Sequence, residues 1–147
     1  MTKSELLQFM RSHRLVVQAS VSPEGAPQAA VVGIAVTAAF ELVFDTLDTT
    51  RKSANLRRNP RVAFVIGGLI EGDERTAQYE GIADEPSGAE LERLKAAYFD
   101  VWPDGRSRTT WPGLVYVRVR PTWIRYSDFT GAFPLIVELD AASLGEQ

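Results

Sequence analysis

The sequence predicts a mainly β protein, an antiparallel barrel with α-helices at its openings. Three observations carry that reading. Short apolar or alternating runs recur along the chain, punctuated by Gly, Pro, Asn and Asp turn signals. Most connections between the runs are too short for a parallel crossover, which takes a dozen residues or more. Only three stretches combine helical periodicity with helix-end signals. With 147 residues, 45% of them hydrophobic, the chain is long enough for a core and is read as one domain over 1–147.

The elements follow in order. Thr2 and Glu5 have capping-box spacing, and Leu6, Leu7 and Met10 give the first helix an apolar face. Leu15 to Val21 is a strand closed by the turn Ser22-Pro23-Glu24-Gly25. Pro27 to Val36 and Glu41 to Thr46 extend a meander. A short helix follows over TTRKSANLRRNP and stops at Asn59-Pro60, because the residue before proline disfavours helical geometry. Arg61 to Ile66 and Thr76 to Ala83 are strands joined through Gly67-Gly68 and Glu71-Gly72-Asp73. Ser87 and Glu90 have a second capping-box spacing, ahead of a helix with the stripe Leu91, Leu94, Tyr98. Asp100 to Gly113 is a loop. Leu114 to Arg120 alternates as a half-exposed strand, and Trp123 to Tyr126 continues it past Pro121. After Phe133 the signals are weak.

Composition excludes much chemistry. The formal net charge is −3, with no long basic run, so neither nucleic acid nor a membrane surface is the expected partner. No apolar run approaches membrane-span length, and the charged N-terminal stretch does not read as a signal peptide. The chain has no cysteine, which suits a cytoplasmic protein and rules out a disulfide framework. His13 is the sole histidine, so a metal site of His or Cys ligands is excluded; at a helix end it reads as a carbonyl cap. An all-oxygen site stays open at Glu71, Asp73 and Glu74, but they lack calcium-loop spacing and read first as a solvated loop. There is no phosphate-binding glycine loop. Most of the usual side-chain machinery for hydrolysis is therefore lacking, and any chemistry points to a cofactor.

Helix electrostatics divide the cations of TTRKSANLRRNP into two pairs. Arg57 and Arg58 fall in the last turn, where cations are favourable. Arg51 and Lys52 fall in the first turn, which already carries partial positive charge, at a cost of about 0.3–1 kcal/mol per charge. Two readings remain open: a misplaced surface pair, or a clamp whose phosphate reverses the sign of that cost. A Thr49 or Thr50 N-cap would add hydroxyls to such a clamp.

The segment FDTLDTTRKSANLRRNPRVAFVI resembles the core motif of the pyridoxamine 5'-phosphate oxidase-like, flavin-binding split-barrel family. ASVSPEGAPQAAVV resembles that family's first hairpin, QYEGIAD its Val-x-Gly-x-Ala strand, and VYVRVRPTWIRYSD its closing strands. The resemblance implies a six-stranded antiparallel split barrel of Greek-key type that forms a homodimer, with FMN in grooves between subunits. By position it implies Thr46, Thr50, Arg51 and Lys52 on the FMN phosphate, and Val31, Val32 and Gly33 along the flavin ring. Residues of the partner near Trp123 to Ser127, or Trp111, would cover the ring. It further implies an oxidoreductase of undetermined substrate. Where the family's true oxidases carry an Arg and a Lys on the second strand, this chain has Ala29 and Ile34; Thr76 stands where a glutamine often reaches the flavin. The basic C-terminal segment of those oxidases has no counterpart in PLIVELDAASLGEQ, so vitamin B6 oxidation is not expected. Two rivals stay open: a deazaflavin-dependent reductase of the same fold, and a non-enzymatic flavin-binding or sensing module. Tyr79, Tyr98 and Tyr126 read as core aromatics first and proton donors second.

Overall fold

The computed structural model describes residues 1–145. Its strands are β1 (Leu15–Val21), β2 (Pro27–Gly33), β3 (Ala35–Val36), β4 (Leu42–Leu47), β5 (Arg61–Gly67), β6 (Arg75–Asp84), β7 (Leu114–Asp128) and β8 (Leu135–Asp140). The helices are α1 (Lys3–Arg11), α2 (Arg51–Arg58), α3 (Gly88–Val101) and α4 (Ala141–Gly145), with a 3-10 turn over Pro103–Arg108.

All strands belong to one sheet in the order β2-β1-β5-β6-β7-β4-β3, and every pairing is antiparallel. The first and last strands of that order, β2 and β3, are separated along the chain only by Ile34. The sheet therefore curls until its two ends meet at this kink. There the Ile34 amide donates to the Arg14 carbonyl (2.9 Å). β8 lies off the path: β7 pairs with β4 through Leu114–Val119 and with β8 through Trp123–Asp128. A bulge between Glu80 and Gly81 absorbs the irregularity beside Pro121. At Gly81 a Cβ would lie 2.5 Å from the Arg120 carbonyl oxygen, so no side chain fits that close pairing.

The sheet interior is filled by alternating inward residues, among them Val16, Leu42, Phe44, Phe64, Ile66, Tyr79, Val119 and Ile124. Leu6, Phe9 and Met10 of α1 plug one opening, and the Thr2–Glu5 capping box is present in full. Leu94, Tyr98 and Phe99 of α3 pack on Ala35 and Val43 to form a second, smaller cluster. Leu91, expected on that stripe, is only half-buried.

Four details differ from the sequence reading. The sheet has eight strands rather than six, because Ile34 splits β2 from β3 and because β8 exists. β8 gave a weak signal because its alternation, Val137 and Leu139 half-buried against exposed Glu138 and Asp140, spans only four residues and follows the exposed Leu135 and Ile136. The loop over 100–113 is largely helical, held by the Trp102 indole donating to the Ile34 carbonyl (3.0 Å) and by Arg108 on Asp45 (2.9 Å). Ser87 caps α3 without a side-chain hydrogen bond, since Glu90 is drawn instead to Arg93 and Arg118.

Candidate functional site

β4 ends at Leu47, and the chain turns directly into α2. The Asp48 amide donates to the Gly113 carbonyl (2.8 Å), which ties this turn to the start of β7. Thr50 is the N-cap: its hydroxyl accepts from the Ser53 amide (3.3 Å). The same hydroxyl lies 3.0 Å from that of Thr46, so the end of β4 and the start of α2 present two hydroxyls side by side. Arg51 and Lys52 occupy the first turn, with no acidic residue beside them there. Neither side chain makes a hydrogen bond or ion pair with another described residue.

The two rear cations behave differently. Arg57 forms a bidentate pair with Glu85 (2.8 and 2.9 Å). Arg58 donates to the Val21 carbonyl at the end of β1. Both stitch α2 to the sheet, which accounts for them without a ligand.

A groove of about 380 Å³ opens between β1, β2 and the front of α2, lined by Gln18, Ser20, Gln28, Ala29, Ala30, Thr49, Thr50, Arg51 and Lys52. Beneath it lies buried Asn55, whose amide nitrogen donates to Ser20 Oγ (3.1 Å) and Gln28 Oε1 (2.9 Å) and so locks α2 onto both strands. Two further polar atoms here, Gln18 Nε2 and Ser53 Oγ, are buried without a partner among the described residues. The Thr50 hydroxyl donates to the Leu47 carbonyl (2.9 Å), so Thr46 donates to Thr50 and both hydroxyl hydrogens are used within the turn. The remaining donors are still in excess: two unmatched cations, free first-turn amides and an unmatched carboxamide. That set fits a phosphate ester, which brings only acceptors at neutral pH.

Thr50, Arg51 and Lys52 thus line one end of the groove, while Thr46 is buried behind Thr50 and does not line it. Val31, Val32 and Gly33 lie on β2, the end strand of the sheet, whose outer edge leaves backbone groups without a strand partner. Their side chains part company: Val31 is 64% exposed on the sheet's outer face, whereas Val32 is packed in the core. Gly33 sits under Trp102, where a Cβ would come within 2.7 Å of the indole. Arg14 stacks on that indole at 4.3 Å, closing one end of β2.

The other side chains considered as candidates stand apart from the groove. His13 turns its Nδ1 to the Phe9 carbonyl (3.1 Å), a helix-end cap. Asp73 pairs with Arg75 (2.8 Å), and the described residues hold no cluster of metal-ligating groups. The Tyr79 hydroxyl is buried and donates to the carbonyls of Phe40 (2.8 Å) and Val119 (3.1 Å); burial pushes its pKa far up. Tyr98 donates to Asp45 (3.0 Å), with burial again the main cause of its raised pKa, and Tyr126 packs edge-on against Phe9. Ile34 is buried and Ala29 has a methyl at the groove wall, so no second-strand cation flanks the groove.

Such a curled antiparallel sheet, with a donor-rich turn between β4 and α2, defines a split-barrel fold. The family model described as "Pyridoxamine 5'-phosphate oxidase" matches residues 2–128, and the chain belongs to that family. Solved structures agree on the fold. A heme binding protein from Mycobacterium smegmatis superposes with a TM-score of 0.82 at 17% identity, over 98% of this chain and 60% of that one. A pyridoxamine 5'-phosphate oxidase-related, FMN binding protein from Nostoc punctiforme gives 0.69 at 14% identity, over 93% and 87%. General Stress Protein 26 from Bacillus anthracis gives 0.69 at 20% identity, over 93% and 98%. No curated protein sequence matches the chain. No helix among the described residues is long and apolar enough to cross a membrane.

Proposed function

We propose that the chain is a cytoplasmic FMN-binding flavoprotein, acting as a homodimer and as an oxidoreductase on a small-molecule substrate. The observation that carries this is the pair Arg51 and Lys52, unmatched in the first turn of α2 beside the Thr46–Thr50 hydroxyls. A bound phosphate turns the electrostatic cost of that pair into a stabilising contact. The flavin supplies the redox chemistry. The protein anchors the phosphate, offers the β2 edge to the ring and shields it from water. The dimer reading rests on the sheet's outer face, where Leu15, Val31, Val65 and Ile82 are between 40% and 64% exposed around a shallow cleft lined by Val17, Ala63, Gln78 and Trp123. A second copy packed on that face would bury this surface. Ala29, Ile34 and Thr76 at the flavin-flanking positions argue against a vitamin B6 phosphate as the substrate.

Mass-spectrometric identification of the ligand that co-purifies with the protein tests the reading directly: FMN supports it, and a deazaflavin or a haem in its place overturns it. Replacing both Arg51 and Lys52 by Ala should weaken FMN binding at least about tenfold, given about 1.5–3 kcal/mol per charge-assisted contact. Riboflavin, which has no phosphate, should be affected little. Equal losses for the two ligands would remove the phosphate assignment.

A further inference from the structure

We propose that Gln18 and Gln28 form a carboxamide floor that grips the oxygen-rich ribityl phosphate chain of the cofactor; this rests on the flavin reading above. The geometry decides which end of each amide is on offer. Gln28 Oε1 is committed to Asn55 Nδ2 at 2.9 Å, and Asn55 is itself buried and fixed by Ser20. With its oxygen occupied, Gln28 has its NH₂ end left for the groove that it lines. Gln18, on the neighbouring strand β1, is 1% exposed, lines the same groove, and its Nε2 is buried with no partner. The two residues are close neighbours: Gln18 pairs with Ala30 across the β1–β2 ladder, two positions from Gln28.

A buried amide without a partner destabilises the fold that carries it, and an apolar side chain of the same length would avoid the cost. An inward strand position normally carries such an apolar residue, as Val16 shows two places earlier. A ligand that brings acceptors makes sense of the exception. Hydroxyl and phosphoryl oxygens match NH₂ donors, whereas an apolar ring does not. The floor lies beside Thr50, Arg51 and Lys52, so the phosphate end of the chain is held by charge and its polyol stem by the two carboxamides. Asn55 acts one step back, as the positioning residue for Gln28.

Titration of the wild-type protein, Gln18→Met and Gln28→Glu with FMN, riboflavin and lumiflavin tests this, with apo-protein melting alongside. Gln18→Met should raise the melting temperature of the apo-protein and weaken both FMN and riboflavin by about tenfold. Lumiflavin, which has the ring without the chain, should bind all three proteins alike. Gln28→Glu keeps the acceptor that Asn55 needs but sets a carboxylate against the phosphate, so FMN should weaken at least about tenfold and riboflavin less. If the wild type binds FMN and Gln18→Met neither weakens it nor melts higher, the floor is refuted while the flavin reading stands. Equal loss of lumiflavin would also refute it, by placing the contact on the ring. If the wild type takes up no flavin of any kind, the flavin reading itself falls.

Discussion

Two polar clusters of similar make-up sit on opposite ends of the sheet, and they are balanced in opposite ways. In the first, Arg118 is 4% exposed and its guanidinium meets Asp84 (2.5 Å) and Glu90 (2.7 Å). Glu41, also buried, takes a bidentate pair from Arg93 and lies 3.8 Å from Arg118. Two cations face three carboxylates, and every charge has a partner. In the second, Arg51, Lys52 and Gln18 Nε2 face no acceptor. A cluster that completes itself holds strands and helices together. A cluster left with surplus donors is completed from outside. The distinction separates structural charge from binding charge without reference to any relative.

The sharpest way to break the comparison is to damage the closed cluster. Arg118→Met should destabilise the protein by roughly 3 kcal/mol, because it leaves Asp84, Glu90 and Glu41 without their shared cation. Chemical denaturation measures the loss. FMN affinity, measured on the folded fraction, should not change; a fall would show that the two clusters are coupled. The open cluster should respond with opposite sign. Arg51→Glu places an anion at the helix start and should stabilise the ligand-free protein by about 0.5 kcal/mol. The same change should cost FMN affinity tenfold or more, since one charge-assisted contact is worth about 1.5–3 kcal/mol. A variant that melts higher yet binds worse is not explained by misfolding.

Much of this contrast was legible in the sequence. The first-turn position of Arg51 and Lys52 against the last-turn position of Arg57 and Arg58 follows from the helix ends, Thr50 and Asn59-Pro60, which the structure reproduces. The barrel class followed from alternation and turn spacing. What was not legible depends on partners far along the chain. Asn55 reaches residues 35 and 27 positions away, and Trp102 reaches one 68 positions away. Gln18 and Ser20 did leave a trace: LVVQASV alternates, yet two of its inward places are polar. That break in pattern marks a polar floor, although only the structure shows which end of each amide is unmatched. The rear cations were read as helix-end charge, but their partners, Glu85 and the Val21 carbonyl, lie outside the helix whose dipole seemed sufficient.

The exposed pair at the rear of α2 gives the next and smaller effect. Arg57→Ala removes the Glu85 contact, in which the arginine side chain is 47% exposed. Such solvent-exposed pairs contribute little, so the loss by thermal or chemical denaturation should be small and far below that of Arg118→Met. Added salt should shrink it further. Flavin affinity should be unchanged, which contrasts the rear of the helix with its front. A loss of FMN binding here would dissolve the distinction between the two pairs.

The smallest effect belongs to His13 and is read as a pH dependence. Burial beside Phe9 holds its pKa below the ordinary 6.5; Asp73 pulls it upward and Arg75 pushes it down. The unfolded chain therefore takes up a proton at a higher pH than the folded one. Stability is unaffected above 6.5 and declines as the pH falls through 6.5 toward the folded-state value, because the unfolded state binds more protons in that window. Asp73 does not blur the slope: Arg75 holds its carboxyl down to about 2, so it stays charged throughout. Urea denaturation of the wild type between pH 7.5 and about 5.5 should show the decline, and His13→Asn should flatten it. An unchanged slope in the variant would assign the acid sensitivity to another group and leave His13 as a cap without a titration of its own.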